Sequence, residues 1–126
     1  KGPIRSESLT QPMGYADGAT QTVTQITNRA TGVTLNAVRG KIITDNTSLA
    51  AEASAVFVVT NSCVSIGDVP VVAIRSGAVG LNTRATATAV AAGSFSITIV
   101  NGNAAGGTAE TGAIVINFAI IKTGQA

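Results

Sequence analysis

The chain has 126 residues, a length that folds as one domain. Apolar residues are 45% of it and charged residues only 11%, which excludes ordinary disorder, built on low hydrophobicity and high charge. A net charge of +2 is too small to draw a polyanion by itself, and with no His, no Trp and one Cys most catalytic and metal chemistries lack their side chains.

Residues 1–20 hold Pro3, Pro12, Gly2, Gly14 and Gly18, with Ile4, Leu9, Met13 and Tyr15 spaced singly between polar residues. A segment so patterned cannot bury enough surface to order itself. It reads either as a frayed tail or as an extended arm that orders on a neighbour, with Ile4, Leu9, Met13 and Tyr15 as its anchors. No apolar leader stands there, and the longest apolar run, 112–121, is about half of the ~20 residues a spanning helix needs. The expectation is a soluble chain made in a cytoplasm, with no membrane partner.

From residue 21 the text becomes short β-like runs punctuated by Gly, Asn and Asp, and 21–126 is read as the β-domain. Residues 22–27 are rich in β-branched side chains, and 33–37 alternate, with Val33, Leu35 and Ala37 on one face. Residues 41–44 form a third run, closed by an Asp45-Asn46 turn. Residues 48–54 contain helix formers but are too few for a stable helix, so a loop or single turn is expected. Residues 55–60 place Phe57 and Val59 on one face; 69–75 carry Pro70, which belongs at a strand start or on an edge. Residues 82–91 alternate Thr or Arg with Ala, and 94–100 point Phe95, Ile97 and Ile99 inward. Residues 102–112, with four glycines, read as a mobile hairpin loop. The last run, 113–121, turns Ile114, Ile116, Phe118 and Ile120 inward.

Eight runs at this spacing predict an all-β fold: an antiparallel β-sandwich or jelly-roll-like barrel of about eight short strands with an extended N-terminal arm. The outward side of the last run, Val115, Asn117, Ala119 and Ile121, is apolar but for Asn117. A strand apolar on both sides is covered on both sides. The cover is either a second sheet of a monomer or another copy of the chain, and a homo-oligomer buried on those four residues is the more economical reading. The small side chains of 82–91 also invite close approach by another chain.

Chemistry finds little material. Without His, the titrating candidates are Lys41, Lys122, Tyr15, Cys63 and the carboxylates Glu7, Asp17, Asp45, Glu52, Asp68 and Glu110, which stand apart in turns and loops. Cys63 reads as a small buried hydrophobe or an intermolecular link. Gly40-Lys41 is a scrap of a phosphate loop, and Asp45-Asn46-Thr47 opens like a calcium loop that lacks its later Gly and Glu. Asn46-Thr47-Ser48 matches the glycosylation tripeptide with no secretory signal to support it. Arg29, Arg39, Arg75 and Arg84 are scattered without stacking aromatics, so they read as solvated residues or contacts to an acidic protein surface, with no nucleic-acid partner. The expectation is a binding protein, not an enzyme, with no cofactor and no metal.

The ordered series Val23-Thr24-Gln25, Thr31-Gly32-Val33-Thr34-Leu35-Asn36, Gly40-Lys41-Ile42, Val59-Thr60-Asn61-Ser62, Ala89-Val90-Ala91-Ala92-Gly93-Ser94 and Ile116-Asn117-Phe118-Ala119-Ile120-Ile121-Lys122 resembles small head decoration (cement) and head-fibre structural proteins of tailed bacteriophages. The similarity runs over 21–122, and this chain lacks the Gly-X-Y stalk of the fibre form. The resemblance implies a decoration protein on the capsid exterior of a virion, partnered with the major capsid protein, trimeric and assembled in the host cytoplasm. It carries no catalytic residues. A receptor- or glycan-binding fibre tip is the alternative, and a pilin-like subunit that donates a strand to the next copy is a third.

Overall fold

In a computed structural model, residues 21–123 are described, and the expected arm, with Ile4, Leu9, Met13 and Tyr15, lies outside them. Eight strands follow in order: β1 (Gln21–Thr24), β2 (Val33–Thr34), β3 (Arg39–Ile43), β4 (Ser54–Thr60), β5 (Val69–Ser76), β6 (Thr83–Ala91), β7 (Ser94–Asn101) and β8 (Val115–Ile121). They form two four-stranded sheets. Sheet A has the order β1-β3-β8-β5 and sheet B the order β2-β4-β7-β6. The chain changes sheet at every connection except the β6–β7 hairpin, whose Gly93 takes the left-handed φ of 85° that the turn requires.

Alternation makes the core. From sheet A come Ile42, Ile116, Phe118 and Ile120; from sheet B come Phe57, Val59, Phe95, Ile97 and Ile99, all buried. The rings of Phe95 on β7 and Phe118 on β8 meet edge to face across the two layers, with centroids 5.8 Å apart and planes at 63°. Val33, Leu35, Leu49, Val64 and Ile114 complete the cluster from the ends. Residues 48–54 form turns and an isolated bridge from Leu49 to Glu110, as a segment that short must.

Two expectations need correction. The central ladders β3/β8, β5/β8, β4/β7 and β6/β7 are antiparallel, but β1 pairs parallel to β3 and β2 parallel to β4, so both sheets are mixed. The reason lies in the connections: β1 reaches β3 through β2 in the other sheet, and such a crossover returns the chain in its starting direction. Residues 102–112 are likewise no hairpin, because β7 and β8 belong to different sheets. Hydrogen bonds pin this crossover: Asn101 Nδ2 donates to the Leu49 and Thr108 carbonyls at 2.9 and 3.0 Å, and Asn103 Nδ2 to Thr108 at 2.9 Å.

Removing the Phe118 ring empties the contact between the layers. Phe118→Ala is expected to cost about 3–5 kcal/mol, read as a lower denaturant midpoint. A change below about 1 kcal/mol contradicts this account of the core.

Candidate functional site

Strand β8 is hydrogen-bonded on both edges, to β3 and to β5, so it is one of the two inner strands of sheet A. With Ile116, Phe118 and Ile120 facing sheet B, its period of two puts Val115, Asn117, Ala119 and Ile121 on the opposite, outer face. Register extends that face sideways. Val69 stands opposite Ile121, Val71 opposite Ala119 and Ala73 opposite Asn117, while on the other flank Arg39 stands opposite Ala119 and Lys41 opposite Asn117.

The result is an open sheet face with an apolar centre. Val69, Val71 and Ile121 remain 46–48% exposed, although each is a large aliphatic side chain. Among the described residues no element packs over it; sheet B covers only the inner side of β8. The two sheets of a sandwich leave each strand one solvent face, and here that face is apolar.

Charge on this face has one sign. The four strands of sheet A contain Arg39, Lys41 and Arg75 and no carboxylate. Arg75 falls where the β5–β8 register shifts between Ile74 and Ser76, an irregularity of the kind that re-aims a side chain. Arg39 and Arg75 flank a shallow concavity of about 290 Å³, lined also by Gly40, Asn117, Phe118 and Ala119. Sheet B is different: its outer face presents Val56, Val58, Thr86, Thr88 and Thr98, and Arg84 is the only charge in its strands.

The chain's most buried ionic groups do structural work at one end of the sandwich. Glu110 is fully buried. It accepts hydrogen bonds from the Val79, Gly80 and Gly112 amides at 2.8, 2.8 and 2.9 Å and from the Thr83 hydroxyl. Burial pushes its pKa up, but these four donors outweigh it and hold the carboxyl below its usual value. Arg29, expected to be solvated, is buried instead. It donates to the Gly112 and Glu110 carbonyls at 2.8 and 3.2 Å, to Thr44 Oγ1 at 3.1 Å and to the Thr47 carbonyl. Burial lowers its pKa, and the charges of Glu110 and Asp45 oppose that. Buried cations need such a full set of acceptors, and main-chain carbonyls supply most of it. Gly112 fits only as glycine, because an added Cβ would lie 1.9 Å from the Gly77 carbonyl oxygen.

The remaining candidates are dispersed. Lys122 Nζ lies 2.5 Å from Asp68 Oδ2 and 2.6 Å from the Cys63 carbonyl; its hydrogen bond lowers the Asp68 pKa. Asp45 accepts from the Thr47 hydroxyl and, at 2.7 Å, from its amide, which hold its pKa down as well. Cys63 is half-buried, not the fully buried hydrophobe expected, since it sits in the turn after β4. Lys41 belongs to the outer face of sheet A, and Tyr15 lies outside the described residues. Among the described residues no three His, Cys, Asp or Glu side chains cluster as metal ligands. The sequence did not single out Val79 and Leu81, exposed beside a second, uncharged hollow of about 430 Å³ formed with residues 103–108. Comparison with protein-family models, curated proteins and solved structures returns no match.

Glu110→Gln replaces one acceptor oxygen by an amide that faces main-chain donors, and is expected to cost about 2–4 kcal/mol in a denaturant titration. The pH dependence has a defined sign. Folding lowers the Glu110 pKa, so its contribution is complete above the unfolded value of about 4.3 and is lost as pH falls through the folded value. Wild-type stability is expected to fall on acidification below that point, and a smaller fall is expected in the Gln variant. Equal acid sensitivity contradicts the assignment.

Proposed function

We propose that this chain is a virion structural protein of a tailed phage, a decoration or cement protein that binds the outer head surface and stabilises the shell. The observation that carries the reading is the open face of sheet A, where an inner strand presents aliphatic side chains to solvent inside a cationic rim. Apolar strand faces of this kind are stable in water only at a cost that a docked partner removes. The resemblance over 21–122 to head decoration and head-fibre proteins supplies the partner class, the major capsid protein.

The two outer faces suit two different contacts. Arg39, Lys41 and Arg75 would face their own counterparts if copies met through sheet A, so in this reading Val115, Asn117, Ala119 and Ile121, the set expected at an interface between copies, turn toward the shell. Sheet B, nearly free of charge and rich in small β-branched side chains, has no such repulsion and is the face offered to other copies, a trimer being the favoured assembly. Residues 1–20 would add a second grip along the shell, through Ile4, Leu9, Met13 and Tyr15. Binding only the assembled shell stabilises it by mass action, with no bond made or broken.

Washed virions of the phage that encodes the chain, measured by quantitative mass spectrometry, are expected to contain it in a fixed ratio to the capsid protein that follows capsid symmetry. Heads without it are expected to burst at lower temperature. Its absence from washed particles, or attachment to host cells through a glycan without any association with heads, overturns the reading.

A further inference from the structure

We infer that the outer edge of β6 pairs with the same edge of a second copy, antiparallel about a two-fold axis at Thr86, so that sheet B continues from one copy into the next. The inference goes beyond the shell-binding reading, which uses the faces of the two sheets and leaves this edge idle.

Strand β6 ends sheet B, and among the described residues β7 is its only ladder partner. Along its other side every second residue therefore turns a main-chain N–H and C=O away from the sheet, a template for a further strand. The inward side chains report the same opening. Ile97 and Ile99 on β7 are fully buried, whereas Ala87 and Ala85, their register partners on β6, are only half-buried. The other three sheet edges are blunted in ways that discourage such pairing. β1 has four residues and β2 two, while β5 carries Pro70 and shifts register between Ile74 and Ser76. β6 has nine residues and no proline. Its ladder runs unbroken from Thr83 to Thr88, before the register shift at which Ala89 takes a φ of 55°.

Symmetry and charge set the occupant. An antiparallel pair matches residues of the same face, so a two-fold at Thr86 places Thr86 against itself, Ala85 against Ala87 and Arg84 against Thr88. All of these lie within the unbroken segment. Arg84, the one charge of the strand, meets no charge. The two arginines stand four residues apart, roughly 14 Å along the strand, beyond the screening length of about 8–10 Å. A two-fold at Ala85 would halve that distance. The loop before β6 adds apolar surface to the same contact. Leu81 is 97% exposed, and counting outward from Thr86 sets it opposite Ala91 at the end of the second copy's β6. A foreign strand would find the same main-chain groups, but only a second copy brings Leu81 to Ala91 at both ends of the pair. A contact of this size makes a weak, reversible dimer, and it leaves the outer face of sheet B free for the trimer contact.

The test uses the full chain with Cys63 replaced by Ser and one new cysteine. Thr86→Cys brings two thiols to the axis, where facing Cα atoms lie about 4.5–5.5 Å apart, within disulfide reach. Thr98→Cys, opposite Thr86 on β7, keeps its pair about 14 Å apart across three strand spacings. Under mild oxidation in concentrated solution the first is expected to form a covalent dimer about tenfold faster than the second, read on a denaturing gel. In the wild-type chain the outward amides of β6 are expected to resist hydrogen exchange when concentrated and to lose that protection on dilution. Thr86→Lys sets two ammonium groups opposite each other and is expected to abolish the protection, with the rest of the NMR fingerprint unchanged. No dimer from Thr86→Cys, equal rates for the two cysteine variants, or β6 exchange that ignores concentration would overturn the inference. No virion enters this assay, so its failure leaves the shell-binding reading standing, and loss of that reading leaves the edge pair standing.

Discussion

The constraint on which the rest depends is that β8 is an inner strand with two apolar faces and, among the described residues, only one sheet to cover them. Its edges are consumed by β3 and β5, so it cannot move outward or turn over without breaking two ladders. Its inner face is fixed by Phe118 against Phe95 and by Ile116 and Ile120 in the same layer. Everything outside that layer is then determined by register: Val69 and Val71 must join Ile121 and Ala119, and Arg39 and Lys41 must flank them. A slip of one residue would exchange the core set for the outer set, and Asn117 would enter the core without a partner. The exposed strip is thus a direct consequence of the same pleat that builds the interior.

A second requirement follows from sheet-switching. Each crossing between layers leaves main-chain groups at the sandwich ends without ladder partners, and they must be satisfied locally. Here side chains do it. Glu110 gathers the amides of Val79, Gly80 and Gly112, while Arg29 gathers the carbonyls of Thr47, Glu110 and Gly112. Asn61 completes the other crossing, donating to the Ala37 carbonyl at 2.7 Å and accepting from its amide at 3.1 Å. With charged residues so few, those that are buried are occupied in closing loops, and the cations left on strand surfaces fall on sheet A in a ratio of three to one.

Much of this was legible in the residues. Period-two alternation in 55–60, 94–100 and 113–121 identified Phe57, Val59, Phe95, Ile97, Ile99, Ile116, Phe118 and Ile120 as the core, and it isolated the outer set of β8. Strand direction was not legible, because alternation specifies faces and not partners; the parallel edges β1/β3 and β2/β4 come from connections through the opposite sheet. Arg29 read as solvated because its acceptors lie as far as 83 residues away in the chain. Glu110 carried a usable signal, being the only charged residue between Arg84 and Lys122, and a solitary carboxylate in so apolar a stretch is one held by donors. The cationic rim was beyond reach for a related reason. Arg39 and Arg75 are far apart in sequence, and only the shared strand β8 brings them to one notch.

The central claim is that sheet A faces the shell. A cryo-electron-microscopy reconstruction of the decorated head reads this orientation directly. The account predicts the outer side of β3, β8 and β5 buried against the capsid protein, and sheet B turned to solvent or to sister copies. Sheet A turned to solvent, or a shell that carries no copy of the chain, would contradict it.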